Sequence, residues 1–111
     1  MPNVNNPPIS IGVSGFTTQS DVTGSRAIDG TVYHNTSGKA MLVVISAAMA
    51  TTYGIAAFSD ATVTPTQAIA SANNPGLVAA ITSSITFLVL IGNYYKCTGV
   101  SCTLVTWIEY T

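Results

Sequence analysis

The sequence predicts an all-β protein: an antiparallel β-sandwich, jelly-roll-like, preceded by an extended N-terminal arm. Three observations predict it. Several short runs are rich in β-branched and aromatic residues, turn signals fall between them, and no stretch shows convincing helical periodicity. With 111 residues, 48% of them hydrophobic, the chain has material for one core and is too short for two. The expected division is an arm over 1–24 and a sandwich domain over 25–111.

The arm reads from Asn5-Asn6-Pro7-Pro8, followed by Gly12, Gly15 and Gly24 amid Ser and Thr. Two consecutive prolines remove two backbone donors and favour extended chain. The short "ISIGV" within the arm is a candidate edge strand. From Ala27 the pattern changes. "GTVYHN" has strand composition, and "NTSGK" is a turn in which Gly38 can supply a positive φ. "AMLVVISAAMA" is apolar on both faces, with Met41, Val43, Ile45 and Ala47 opposite Leu42, Val44, Ser46 and Ala48. Such a strand must be covered on both sides, with a core beneath and a subunit as a candidate cover above.

"TTYGIAAF" is the next strand, with Tyr53, Ile55 and Ala57 on one face. "SDATVTPTQAIASANNPG" reads as loop and short edge strands. Pro65 excludes a central-strand role at its own position, and Asn73-Asn74-Pro75-Gly76 signals a turn. "AAITSSITFLVLI" alternates Ile85, Phe87, Val89 and Ile91 with Ser84, Thr86, Leu88 and Leu90. Gly92-Asn93 turns the chain into "YYKC", and "TGVS" is expected to form a hairpin tip leading into "CTLVTWIEYT".

Charge narrows the function. Three cationic side chains, four anionic ones and one histidine make up a charged fraction of only 6%. Proton transfer and charge stabilisation need titratable groups gathered together, so the composition argues against an enzyme. Arg26, Lys39 and Lys96 form no basic run, and a net charge of −1 gives no footprint for nucleic acid. "MLVVISAAMATTYGIAAF" and "LVAAITSSITFLVLIGNYY" approach membrane-spanning length, but Thr, Ser and Gly interrupt both and no basic flank sets an orientation. No membrane association is expected, and "MPNVNNPPIS" lacks the features of a secretory signal.

Individual residues offer little chemistry. His34 stands alone, and with two cysteines it matches no zinc spacing. No "GxSxG" frames a serine that could act with His34 and Asp21, Asp29 or Asp60. No catalytic residue, metal site or cofactor is therefore expected. Cys97 and Cys102 flank the proposed hairpin tip and are read as free thiols. Asn35-Thr36-Ser37 fits the glycosylation triplet, yet without a secretion signal it is a turn. Arg26 is expected to pair with Asp29 or Glu109, and Lys39 with Asp60. Tyr33, Tyr53, Tyr94, Tyr95, Tyr110 and Trp107 read as core or interface anchors rather than sugar-stacking platforms, with Trp107 plugging the sandwich.

Two stretches carry a resemblance. "DVTGSRAIDGTVYHNTSGKAMLVVIS" and "FLVLIGNYYKCTGVSCTLVTWIEY" resemble small β-sandwich modules of tailed-bacteriophage virions, found at tail-fibre tips and on head surfaces. The residues concerned are Arg26, Gly30, Thr31, Tyr33, Asn35, Thr36, Gly38 and Lys39, then Gly92, Tyr94, Tyr95, Lys96, Trp107 and Glu109. Ile91-Gly92 departs from the Pro-Gly turn of related modules. The resemblance implies a capsid decoration (cement) protein on the outside of the head, self-associating as a homotrimer and contacting the major capsid protein. About two dozen residues before the match suit a free-standing module better than a fibre. The alternative is a receptor-binding module of a tail fibre or spike, presenting Ser59–Gly76 to a cell-surface receptor. The expected interface comprises Pro7, Pro8, Ile9, Ile11, Val13, Phe16, Leu42, Val44, Tyr94, Tyr95 and Trp107.

Overall fold

A computed structural model of the chain describes residues 15–76 and 79–111. Eight strands follow in order: β1 Gln19–Asp21, β2 Tyr33–His34, β3 Met41–Ala50, β4 Gly54–Asp60, β5 Ala68–Asn73, β6 Ala80–Val89, β7 Tyr94–Gly99 and β8 Cys102–Tyr110. A 3-10 turn, Thr23–Ser25, follows β1. The strands form two antiparallel sheets, ordered β1-β8-β3-β6 (sheet A) and β2-β7-β4-β5 (sheet B). Strands adjacent in sequence sit in opposite sheets, except β4 and β5, which form a hairpin. This interleaved order is that of an eight-stranded jelly roll.

Alternation along each strand decides which side faces in. On β3, Met41, Val43, Ile45, Ala47 and Met49 are buried while the intervening residues are half-exposed. Ile55 and Ala57 of β4, Ile85, Phe87 and Val89 of β6, and Trp107 of β8 complete the layer between the sheets. Two one-residue bulges interrupt the registers. Val105 is the extra residue of β8 opposite Ser46 and Ala47, and Ile69 is the extra residue of β5 opposite Ala57 and Phe58. β3 and β6 pair through ten residues without a break.

Several expectations need correcting. "TGVS" is not a hairpin tip: β7 belongs to sheet B and β8 to sheet A, so the chain arches between layers there. Short turn signals specify a reversal, but they do not say whether the returning strand pairs with the last or stacks over it. Tyr53 lies in the turn before β4 and is exposed, and Ile91 is an exposed turn residue after β6. The arm boundary at Gly24 also moves. Thr17 and Thr18 donate to the Thr111 carbonyl (2.8 and 2.9 Å), and β1 pairs with β8, so the segment from Thr17 is part of sheet A. The proposed "ISIGV" strand lies outside the described residues.

Candidate functional site

The carboxylates are engaged in building the fold. Asp21, Asp29 and Asp60 each use Oδ1 to accept from the backbone N–H and hydroxyl of a threonine two residues on: Thr23, Thr31 and Thr62. Asp60 also accepts from the backbone N–H groups of Thr66 and Gln67 through Oδ2. Accepting these bonds favours the ionised form, so all three carboxyls are held below the usual carboxylate range. Asn35, almost fully buried, repeats the turn with Ser37 and donates to the carbonyls of Lys39, Val89 and Leu90 (2.8, 3.2 and 3.2 Å). It ties the β2–β3 connection to the end of β6.

The fourth carboxylate, Glu109, is 8% exposed and points inward. Its Oε2 accepts from Arg26 Nε (3.1 Å), the Tyr95 hydroxyl (2.7 Å) and Trp107 Nε1 (3.0 Å), while Oε1 accepts from Arg26 Nη2 (3.0 Å). The Arg26 guanidinium also lies 4.5 Å from the centre of the Tyr33 ring, which packs edge-on to Trp107. Burial alone would depress the arginine, but the bonds and charge of Glu109 outweigh it and raise its pKa. Burial, with the Glu109 bond, raises the Tyr95 phenol. Of the two partners expected for Arg26, Glu109 is the one it meets. Among the described residues this is the one ion pair within 4.0 Å, so the expected Lys39–Asp60 pair is not formed.

Both thiols are free. Cys97 is buried in sheet B, and burial pushes it up to about 12; Cys102 is on β8, with Sγ near the Val100 carbonyl (3.2 Å). His34 is exposed, stacks on Tyr94 at 4.1 Å and approaches the Gly92 carbonyl through Nε2 (3.1 Å). Among the described residues, no three His, Cys, Asp or Glu gather where a metal ion could be held. Among the described residues no helix is long and apolar enough to cross a membrane.

What remains are surfaces. The outer face of sheet A is built from registered rows: Tyr110–Leu42–Leu88, Ile108–Val44–Thr86, then Thr106–Ser46–Ser84. One end of the face is therefore apolar and the other small and polar, where Ser46 and Ser84 bond through their hydroxyls. Asp21 is paired with Ile108 at the β1 margin of this face. The outer face of sheet B is different in kind. It carries the His34–Tyr94 stack and Lys96 over the Phe58 ring at 5.3 Å. Near its other end a shallow depression of about 310 Å³ is lined by small side chains, including Ala56, Ser71 and Thr98.

The expected interface residues that are described do not form one surface. Leu42 and Val44 are on the outer face of sheet A, Tyr94 is on that of sheet B, and Phe16 is exposed ahead of β1. Tyr95 and Trp107 are 1% and 0% exposed, so they are core side chains of a single copy and are corrected as interface residues. Pro7, Pro8, Ile9, Ile11 and Val13 lie outside the described residues. Leu88, Ile108 and Tyr110, not among the expected interface residues, complete the apolar rows; strand alternation on β6 and β8 was the signal that could have found them.

These features define a jelly-roll module whose polar groups serve the fold and whose two outer faces differ sharply in chemistry. Compared with known proteins, the chain matches no family model, no curated protein and no solved structure.

Proposed function

We propose that the chain is a structural protein of a tailed-phage virion, a capsid decoration (cement) protein that self-associates on the head exterior and strengthens the shell. The observation that carries this reading is the outer face of sheet A, where Leu42, Leu88, Val44, Ile108 and Tyr110 form an apolar end on a charge-poor face. A sheet face of this kind loses little by desolvation when another protein covers it. The jelly roll also suits the role, since capsid and lectin domains both use this architecture. The partners in this reading are further copies, expected as a trimer, and the major capsid protein. Contacts across the joints between capsomers would then have to break before the shell could open.

The residues on which the expected resemblance rests act on the fold. Gly30 and Gly38 hold φ of 90° and 79°, Asn35 ties the β2–β3 connection to the end of β6, Tyr33 and Glu109 hold Arg26, and Tyr95 and Trp107 donate to the same carboxylate. The test is attachment. Phage heads stripped of this protein should regain it from solution and regain heat resistance with it. Leu42→Lys with Ile108→Lys, folded by circular dichroism, should lower occupancy at least 10-fold. Full occupancy by that variant would contradict the reading.

One observation favours a second reading, a receptor-binding module. The His34–Tyr94 stack and the Phe58 ring beside Lys96 lie on the outer face of sheet B, and aromatic faces are suited to sugars. Binding of the purified protein to host cells, with none to heads, would decide for it.

A further inference from the structure

A sheet edge presents unpaired N–H and C=O groups, and proteins guard such edges with shortness, charge, proline or bulges. Three of the four edge strands here are guarded in these ways. β1 has three residues including Asp21, β2 has two, and β5 has six with the Ile69 bulge. β6 is the exception. It has ten residues in unbroken register with β3, and it contains no charge and no proline. Among the described residues it has a strand partner on one side only.

Its surroundings are equally bare. No residue between Asp60 and Lys96 is charged, a run that includes β5, β6 and their connection. β5 and β6 lie against each other across the two sheets, so this whole side wall of the sandwich is neutral.

We infer that the β6 edge is a docking site for the β6 edge of a second copy, the two strands running antiparallel about a twofold axis. The two A sheets thereby merge into one of eight strands. The sequence of β6 suits itself as a partner. In an antiparallel self-pair whose residue numbers sum to an even value, every side chain meets one from its own face. Inward Ile81, Ser83, Ile85 and Phe87 meet one another, and outward Thr82, Ser84, Thr86 and Leu88 do likewise. No like charges oppose. A foreign strand would find no charge here to recognise, whereas a second copy is matched by symmetry.

The area is sufficient. A ten-residue strand is about 34 Å long, and two sheets about 10 Å apart with their outer side chains give a wall about 20 Å high. That is roughly 700 Å² a side, near the ~800 Å² per partner of a stable interface. The contact does not depend on the capsid reading, and being twofold it is distinct from a trimer contact.

Sedimentation of the full chain from about 1 to 200 µM tests it. The expected species is twice the 11.4 kDa chain, or an even multiple where other contacts add. Thr82→Lys with Thr86→Lys places charges along the edge and should weaken the pair at least 10-fold. Thr103→Lys, on the same face but on the interior strand β8, should leave it unchanged. A monomer at every concentration, a trimer without even-numbered species, a mass insensitive to the β6 lysines, or equal dissociation by Thr103→Lys would each overturn the inference. Should the double variant fail to fold, hydrogen exchange on the unaltered protein decides. β6 amides must become more protected as concentration rises, and concentration-independent protection would give the edge another cover within the same chain. Head attachment is a separate readout, so a chain that pairs without attaching refutes only the capsid reading.

Discussion

Replacing Glu109 by Gln probes the buried polar knot most directly. The carboxylate receives four donors, and its Oε2 alone takes Arg26 Nε, the Tyr95 hydroxyl and Trp107 Nε1. A glutamine can keep its oxygen at the Oε2 position. Its amide then faces Arg26 Nη2 donor to donor, and the guanidinium loses its counter-charge. A hydrogen bond to a charged group is worth about 1.5–3 kcal/mol, and breaking one side of a buried pair costs about 3–5 kcal/mol. Arg26 keeps some contact with water, with 20% of its side chain exposed, so the low end applies: about 3 kcal/mol. For a domain of this size that lowers Tm by about 12–24 °C.

Arg26→Met should cost less, about 2 kcal/mol, because the carboxylate keeps Tyr95 and Trp107 as donors. The double variant should cost about 3 kcal/mol rather than the sum of 5. No unpaired charge remains in it, and the Gln oxygen still serves both rings. Urea unfolding of the four proteins gives the cycle. Strict additivity, or a Glu109→Gln cost below about 1 kcal/mol, would refute the reasoning that Arg26 and Glu109 act as one buried, coupled network.

Gly54 approaches β5 so closely that a Cβ there would lie 2.8 Å from the Asn73 Cα, a backbone atom that cannot swing aside. Gly54→Ala should therefore cost at least about 2 kcal/mol, while Gly24→Ala, which meets nothing within 4 Å, should be near neutral; thermal melts compare them. Alkali should destabilise the fold through Cys97 and Tyr95. Both are raised in the native state by burial, so the unfolded chain loses their protons first. Stability should be complete below about pH 8.5, then fall as pH rises toward and past 10. Cys97→Ala should move the onset of that fall upward in pH-dependent denaturation. Deleting Met1–Gly24 should lower stability further than deleting Met1–Ser14. The longer cut removes β1 and the Thr23 hydroxyl that accepts from the Trp107 N–H at 2.9 Å; equal Tm values would contradict it.

Period-two alternation made much of the fold legible. Met41 to Met49 and Ile85 to Val89 declare their buried faces because a strand places successive side chains on opposite sides. Gly38 and Gly92 mark turns because positive φ excludes most other residues. The same reasoning foresaw Trp107 as a core plug, yet it also offered Trp107 and Tyr95 as interface residues. An aromatic side chain with a polar atom is at home at either place, and what decided between them was a buried acceptor. Glu109 supplies it, from the far end of the chain relative to Arg26.

The sequence by itself determined that this is an all-β chain, which residues of its long strands turn inward, and that charge is scarce everywhere. Only the tertiary structure decided which strands are neighbours. Alternation and turn residues are local, whereas sheet order is set by contacts far apart in the chain. That is why "TGVS" became an arch between layers, why Arg26 chose Glu109 over Asp29, and why, among the described residues, β6 was left as the long, uncharged edge.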